Sequence, residues 1–211
     1  MKTKYIAFAS LAIAAPLAFV SCENPADKTT KAKVEAAVEK SDSPEVAGTK
    51  YEFTENSQVN FIGSKVTGSH NGGFKTFTGY FTLKDGAPVG TDHKVNIDMN
   101  STFSDSEKLT GHLKSPDFFD VEKFPHSTFD VTSITKSADA SYTVSGNFTL
   151  HGVNKNISFP AAVSQTGDTV KIAAKFNINR KDFGIVYAGK ADDLIRDEVV
   201  IELNLEAKPG A

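Results

Sequence analysis

The run VKIAAKFNI at residues 170–178 indicates the fold class of this chain. Apolar residues occupy every second position, and Lys171, Lys175 and Asn177 stand at positions between them. Successive side chains of a β-strand point to opposite faces of its sheet. The pattern therefore predicts a strand with one buried face and one face in water.

The same two-residue period recurs along most of the chain, at residues 59–63, 95–99, 142–150 and 199–205. Turn-forming residues separate these runs, as in NGG at 71–73 and TGD at 166–168. We predict seven to nine strands. Because no long amphipathic helix separates them, an antiparallel sandwich or barrel is favoured over a parallel α/β sheet.

One segment, residues 105–119, lacks the alternation. Asp105 and Ser106 suit the start of a helix, and Leu109 and Leu113 are four residues apart, which places them on one helical face. Two phenylalanines follow. We expect a short helical segment that closes one end of a barrel.

The N-terminus has the features of an export signal. Lys2 and Lys4 precede an apolar run over residues 5–20, which is short for a transmembrane helix. Residues 17–22 are similar to the bacterial lipobox, in which the cysteine becomes the first mature residue and is acylated. We therefore predict a lipoprotein signal peptide at 1–21 and a lipid on Cys22, the only cysteine in the chain.

Residues 22–49 are rich in Ala, Lys, Glu, Thr and Ser, and no aromatic residue follows Phe19 before Tyr51. Such a segment buries too little apolar surface to offset the entropy lost on ordering. We predict a flexible tether at 22–49 and a β-domain at 50–211. Lipidation would place this domain in the bacterial cell envelope, on the periplasmic or outer-membrane side.

Motifs that would indicate catalysis are incomplete. GIVYAGK at 184–190 resembles a phosphate-binding loop, but Ala191 replaces the required Ser or Thr, and the flanking pattern is β. SITK at 133–136 lacks its companion motifs. The five histidines have no metal-site spacing.

With a formal net charge of −3 and no basic patch, the chain is also not expected to bind nucleic acid. We predict no catalytic residue, no metal and no cofactor other than a bound lipid.

The apolar content leaves two interpretations open. The chain has 16 Phe and no Trp. These rings either pack a solid β-core or line a cavity. Small residues at apolar positions, such as Gly79, Gly146 and Ala161, favour a cavity, because closed barrels of about eight strands can hold one small ligand.

Three longer segments carry a family resemblance: GHLKSPDFFDVEKFP at 111–125, VSGNFTLHGVNK at 144–155 and FNINRKDFG at 176–184. Together they resemble the YceI-like family of exported polyisoprenoid-binding proteins. The resemblance implies an all-β, antiparallel, lipocalin-like barrel of about eight strands. It also implies an isoprenoid or quinone-like ligand, no catalytic residues and, in some relatives, homodimers.

From the resemblance and the alternation together, we expect the protein to bind a polyprenyl or quinone-like lipid for storage, shielding or transport. The alternatives are a redox, haem or quinone accessory protein and a structural envelope stress protein without lipid. Lys114 and Arg180 are candidate contacts for a ligand head group. The predicted cavity-lining residues are Phe61, Phe77, Phe81, Ile97, Phe118, Phe129, Phe148, Phe159, Ile172 and Leu203.

Overall fold

A computed structural model describes residues 23–39, 47–138 and 140–210. The predicted signal peptide and Cys22 lie outside the described residues. The rest is almost entirely β-structure. The strands are β1 (Thr30–Lys31), β2 (Lys33–Ala36), β3 (Thr49–Phe53), β4 (Gln58–Lys65), β5 (Gly68–Phe74), β6 (Phe77–Lys84), β7 (Ala87–Pro88), β8 (Lys94–Asp98), β9 (Thr102–Ser104), β10 (His126–Ala138), β11 (Ser141–Leu150), β12 (Val153–Thr166), β13 (Thr169–Asn179), β14 (Gly189–Lys190) and β15 (Asp193–Pro209). One α-helix, α1 (Glu107–Lys114), and three short 3₁₀ turns (Pro25–Lys28, Met99–Ser101 and Arg180–Phe183) complete the described part.

Eight wall strands form a closed antiparallel barrel. Three of them are kinked and consist of two consecutive elements each: β3 with β4, β5 with β6, and β8 with β9. The other five are β10, β11, β12, β13 and β15. The long strand β15 pairs with β13 on one side and with β3 and β4 on the other, which closes the ring. The predicted all-β, lipocalin-like barrel of about eight strands with a short helix is confirmed.

The alternation in β13 corresponds to the two faces of the wall. Ile172 and Phe176 pack into the main apolar core, whereas Lys171 and Lys175 are exposed on the outer face. Lys175 pairs with Glu202, its direct neighbour on β15, at 2.6 Å. Such an exposed pair adds little stability, so the inward apolar face is what fixes the strand register.

Helix α1 covers one end of the barrel. Ser106 is its N-cap, and its hydroxyl accepts a hydrogen bond from the Leu109 amide at 3.4 Å. Leu113 is buried, and the chain then turns so that the Phe119 amide donates to the Leu113 carbonyl at 3.0 Å. Phe118 is also buried beneath this turn.

The wall is split between β12 and β13, and the N-terminus fills the gap. These two strands pair with each other only where β12 runs from 162 to 166. Beyond that point β2 pairs antiparallel with β12, and β1 pairs parallel with β13. Residues 24–36, which we call the N-terminal strap, therefore form an extra piece of wall. The flexible tether predicted for residues 22–49 is wrong over this stretch.

Backbone pairing and a few small side chains hold the strap in place. Ala32 is 3% exposed and belongs to the main core. The side-chain amide of Asn177 donates to Ala26 O at 3.3 Å and to the Thr29 carbonyl and hydroxyl at 3.3 and 2.9 Å. Composition did not reveal this docking, because an open strand edge accepts a partner through backbone groups and needs few apolar side chains.

We expect Asn177→Ala to loosen the strap. The substitution removes the side-chain hydrogen bonds to Ala26 and Thr29, at a cost of about 1–3 kcal/mol in the free energy of unfolding. Hydrogen exchange measured by mass spectrometry should show faster exchange over residues 30–36. Asn154→Ala, at an exposed position on β12, is the matched control and should leave exchange unchanged. Wild-type exchange rates in Asn177→Ala would contradict this role.

Candidate functional site

The barrel contains two apolar cavities. The first has a volume of about 90 Å³ and lies towards the end where β10 meets β11. It is lined by Phe53, Tyr80, Phe81, Leu83, Pro88, His93, Lys94, Val95, Phe129, Val131, Ile134, Tyr142, Val144, Phe159, Ala161, Val163, Ile172, Leu203 and Leu205.

The second cavity has a volume of about 110 Å³ and lies beneath α1 at the opposite end. It is lined by Phe61, Gly63, Ser64, Phe74, Ile97, Leu113, Phe118, Phe119, Ser127, Phe148, Leu150, Ile178, Arg180, Ile185, Ile195, Arg196, Val199 and Ile201.

The two cavities lie one after the other along the barrel. On β13, Ile172 borders the first and Ile178 borders the second, about 20 Å further along the strand. Phe176 stands between these positions and borders neither. Its ring stacks on that of Phe159, with centroids 4.1 Å apart and planes 9° from parallel. This stacked pair lies between the two spaces.

Almost all of the surface that faces either cavity is carbon. The polar side chains in the second cavity bond elsewhere: the Ser127 hydroxyl donates to the Thr149 carbonyl at 2.6 Å, and the Ser64 hydroxyl donates to Asn24 Oδ1 at 3.4 Å. A guest in these spaces would thus meet apolar surface and few free hydrogen-bonding groups. The interior suits a hydrocarbon chain.

Nine of the ten predicted lining residues border one of the two cavities. Phe81, Phe129, Phe159, Ile172 and Leu203 border the first. Phe61, Ile97, Phe118 and Phe148 border the second. Their part in binding a ligand stays a prediction.

The tenth residue, Phe77, packs against the main apolar core but borders neither cavity. The pairing of β6 with β3 spans only Tyr80 to Leu83, and Phe77 lies beyond it. Its ring packs edge-on against Phe53, with centroids 6.4 Å apart, and borders grooves at the kinks of the wall. Alternation does not reveal where a wall strand kinks.

Gly146 and Gly79, which the sequence suggested as signs of a cavity, make room for aromatic rings. A Cβ at Gly146 would lie 2.5 Å from the Phe129 ring, and one at Gly79 would lie 2.2 Å from the Phe53 ring. Ala161, in contrast, borders the first cavity. Small residues in the wall therefore serve ring packing as well as the cavities.

Arg180 lies in the wall of the second cavity and its donors bind the protein itself. Its guanidinium donates to the carbonyls of Ile185, Arg196 and Ile195 at 2.8, 3.1 and 3.4 Å, and to Asp197 at 3.2 Å. Burial lowers the pKa of Arg180, and the nearby Asp197 carboxylate partly opposes this shift. The arrangement favours a structural clamp over a head-group contact. Lys114, the other candidate, is half-buried and borders neither cavity.

Two polar side chains at the first cavity also have protein partners. His93 Nδ1 accepts from the Thr82 amide at 3.0 Å and Nε2 lies 3.1 Å from the Gly90 carbonyl, which assigns the proton to Nε2. The Tyr80 hydroxyl donates to Asp92 at 2.7 Å, and this bond raises the pKa of Tyr80 to about 12.

Sequence reasoning missed several lining residues, and the signals for them differ. Tyr142 and Leu205 lie in alternating runs and could have been named. Leu113 and Ile185 lie outside strands, so periodicity gives no indication of them. Arg196 borders the second cavity, and its carbonyl accepts from the Arg180 guanidinium.

A domain model of the YceI-like family matches residues 51–207. The chain belongs to the YceI-like family. A UPF0312 protein of Pseudomonas putida is 28% identical over 164 residues, which cover 72% of this chain and 84% of that protein. A UPF0312 protein of Yersinia enterocolitica is 35% identical over 120 residues, which cover 54% of this chain and 62% of that protein. The resemblance identified from the sequence motifs is confirmed.

Solved structures share the fold. BcnA of Burkholderia cenocepacia superposes with a TM-score of 0.63 at 23% identity, over 72% of this chain and 96% of that one. A polyisoprenoid binding domain from Saccharophagus degradans, implicated in plant cell wall breakdown, superposes with a TM-score of 0.64 at 16% identity, over 78% of this chain and 100% of that one. The strap precedes the part of this chain that matches the YceI-like model.

Within the described residues of this YceI-like chain, no group of three or more His, Cys, Asp or Glu side chains is arranged to hold a metal ion. The helices of the same residues include none with the length and hydropathy needed to cross a membrane.

We expect Arg180→Lys to destabilise the barrel even when no lipid is bound. Lysine keeps the charge but lacks the planar set of donors, so carbonyls that Arg180 binds lose their partners. The free energy of unfolding should fall by about 2–3 kcal/mol, measured by urea titration of delipidated protein. Lys114→Met is the control and should change it by less than about 0.5 kcal/mol. An unchanged urea midpoint for Arg180→Lys would show that the clamp contributes no stability.

Proposed function

We propose that this YceI-like barrel binds a long apolar chain, a polyprenyl or quinone-like lipid, for storage, shielding or transport. The observation that carries the proposal is the pair of carbon-walled cavities, one after the other, inside a closed barrel. The polyisoprenoid binding domain from Saccharophagus degradans has the same fold, which supports the same ligand class here.

Burial of hydrocarbon supplies the affinity in this proposal. Each Å² of apolar surface removed from water contributes ~25 cal/mol, so a long chain needs few polar contacts. That fits an interior in which Ser127, His93 and Arg180 bond to the protein. A polar head group, if the lipid has one, would remain at a barrel end.

The size of the cavities restricts the shape of the guest. Volumes of about 90 and 110 Å³ are below the ~300 Å³ at which pockets for drug-sized molecules begin. A narrow chain suits such spaces better than a broad ring system such as haem. For one chain to occupy both cavities, the stacked rings of Phe159 and Phe176 have to move apart.

The location forms a second part of the proposal. A signal peptide at 1–21 and a lipid on Cys22 would export the chain and hold it at a membrane of the bacterial envelope. An apolar ligand would then be taken up close to the bilayer in which such lipids reside.

We expect Ala161→Leu to exclude the ligand from the first cavity. The larger side chain fills part of this space, whereas Ala162→Leu, at the exposed neighbouring position of β12, does not. Protein purified from its native host and analysed by native mass spectrometry should carry an isoprenoid lipid. Occupancy in Ala161→Leu should fall several-fold and that of Ala162→Leu should match wild type.

Thermal unfolding of delipidated samples controls for misfolding, because overpacking costs about 1–3 kcal/mol. Wild-type protein that is repeatedly empty, or that carries no apolar molecule on solvent extraction, would contradict the proposed function.

We expect Cys22→Ser to release the protein from membranes. The substitution removes the thiol that would carry the acyl chains, and the described barrel contains no helix able to span a bilayer. Fractionation of cells should move the protein from the membrane pellet to the soluble envelope fraction, with its unfolding midpoint unchanged. Continued sedimentation with membranes would contradict the lipid anchor.

A further inference from the structure

Four large apolar side chains among the described residues are about half exposed or more: Val38, Val66, Val186 and Leu194, at 50%, 53%, 65% and 48%. Val38 lies on the side of the barrel, where its amide donates to Asn147 Oδ1 at 3.0 Å. The other three lie at the end that contains the second cavity. We call Val66, Val186 and Leu194 the apolar rim.

Hydrogen bonds join the segments that carry the apolar rim. The Val66 amide donates to the Leu194 carbonyl at 3.1 Å. The next residue of β15, Ile195, donates its amide to the carbonyl of Ala188 at 3.0 Å, two residues after Val186. The three exposed side chains therefore stand on connected turns at one end of the barrel.

The strap starts at this same end. Asn24 is buried, and its side chain accepts from Ser64 at 3.4 Å. Ser64 precedes Val66 by two residues, a span of at most about 7 Å. Asn24, the second described residue, therefore lies close to the apolar rim, so an acylated Cys22 two residues before it would place its lipid beside the rim.

We propose that the apolar rim lies on the lipid surface and orients the barrel with its second cavity towards the bilayer. This inference rests on the proposed anchor, because three aliphatic side chains bury too little area to hold a protein on a membrane. They can, however, set the orientation of a protein already held there. Of the nearby charges, Lys65 pairs with Asp193 and Lys28 with Glu23, while Lys190 and Asp192 are exposed on the turn before Leu194.

The orientation gives the ligand a short path. The second cavity is covered by α1 and by the loop that carries Val186, which meet at His112, Phe118 and Tyr187, with ring centroids 4.9–5.4 Å apart. With the rim on the membrane, this cover faces the lipid. A hydrocarbon chain then enters the barrel with little exposure to water.

Site-specific quenching tests the orientation. Full chains carrying Val186→Cys, Leu194→Cys or Val38→Cys are purified from membranes and labelled with a bimane dye. They are then reconstituted into phosphatidylethanolamine and phosphatidylglycerol vesicles that contain a lipid with a nitroxide on its acyl chain. Quenching at 186 and 194 should exceed quenching at 38 several-fold. Equal quenching at the three positions would overturn the orientation.

A second variant separates contact from mere proximity. Val186→Asp places a charge at the most exposed rim position, where it should not affect folding, and it should abolish quenching of a dye at Leu194→Cys. Quenching that persists in this variant would contradict a rim held on lipid by apolar contact.

The wild-type chain distinguishes failure of the anchor from failure of the rim. If Cys22 is acylated, its thiol is blocked and wild-type protein takes up no dye. Dye uptake would show that the anchor proposal is wrong, and the orientation, which rests on that anchor, would fall with it. Without dye uptake, stronger quenching at 186 and 194 than at 38 supports the rim, and equal quenching overturns the rim while the anchor stands.

Discussion

The double pairing of β15 is the constraint on which the rest of the barrel depends. This strand of 17 residues bonds to β13 along one edge and to β3 and β4 along the other. An open sheet would leave two edges of unpaired backbone groups, and closure removes both. It also creates the interior: Ile201 stands opposite Phe176 on one side and Phe61 on the other, which places all three side chains in one inward layer. A shift of one residue would turn these side chains to the outside.

Closure is incomplete at one seam, and this gives the N-terminal extension its role. β12 and β13 separate in the half of the barrel nearer the second cavity, where Phe159 and Phe176 stack inside. Backbone groups exposed by the separation pair with β1 and β2. The segment that follows the proposed anchor is therefore part of the wall. It holds Asn24, near the first described residue, against Ser64 in the lining of the second cavity.

The interior combines satisfied polar groups with free apolar surface. Arg180, Ser127 and His93 each bond to backbone carbonyl or amide groups of the wall. Buried polar groups that already have partners stabilise the empty barrel and offer little to a guest. What remains available is hydrocarbon surface, which is non-directional in its attraction. Under the proposed function, such an interior would distinguish ligands by width and length more than by functional groups.

The sequence by itself determined the strands, the helical closure and most of the inward residues, because a two-residue period is a local property of the backbone. Nine of the ten named side chains border a cavity, and eight of these nine, all except Phe118, lie on strands. Only the tertiary structure decided the rest. Phe77 lies beyond the end of the β3–β6 pairing, Gly146 makes room for the ring of Phe129, and Arg180 finds its partners in Ile185 and in residues 195–197 of β15. The docking of the strap could not be predicted from the sequence for the same physical reason. It depends on a strand edge left open more than a hundred residues later in the chain, and no local pattern in residues 24–36 indicates that edge.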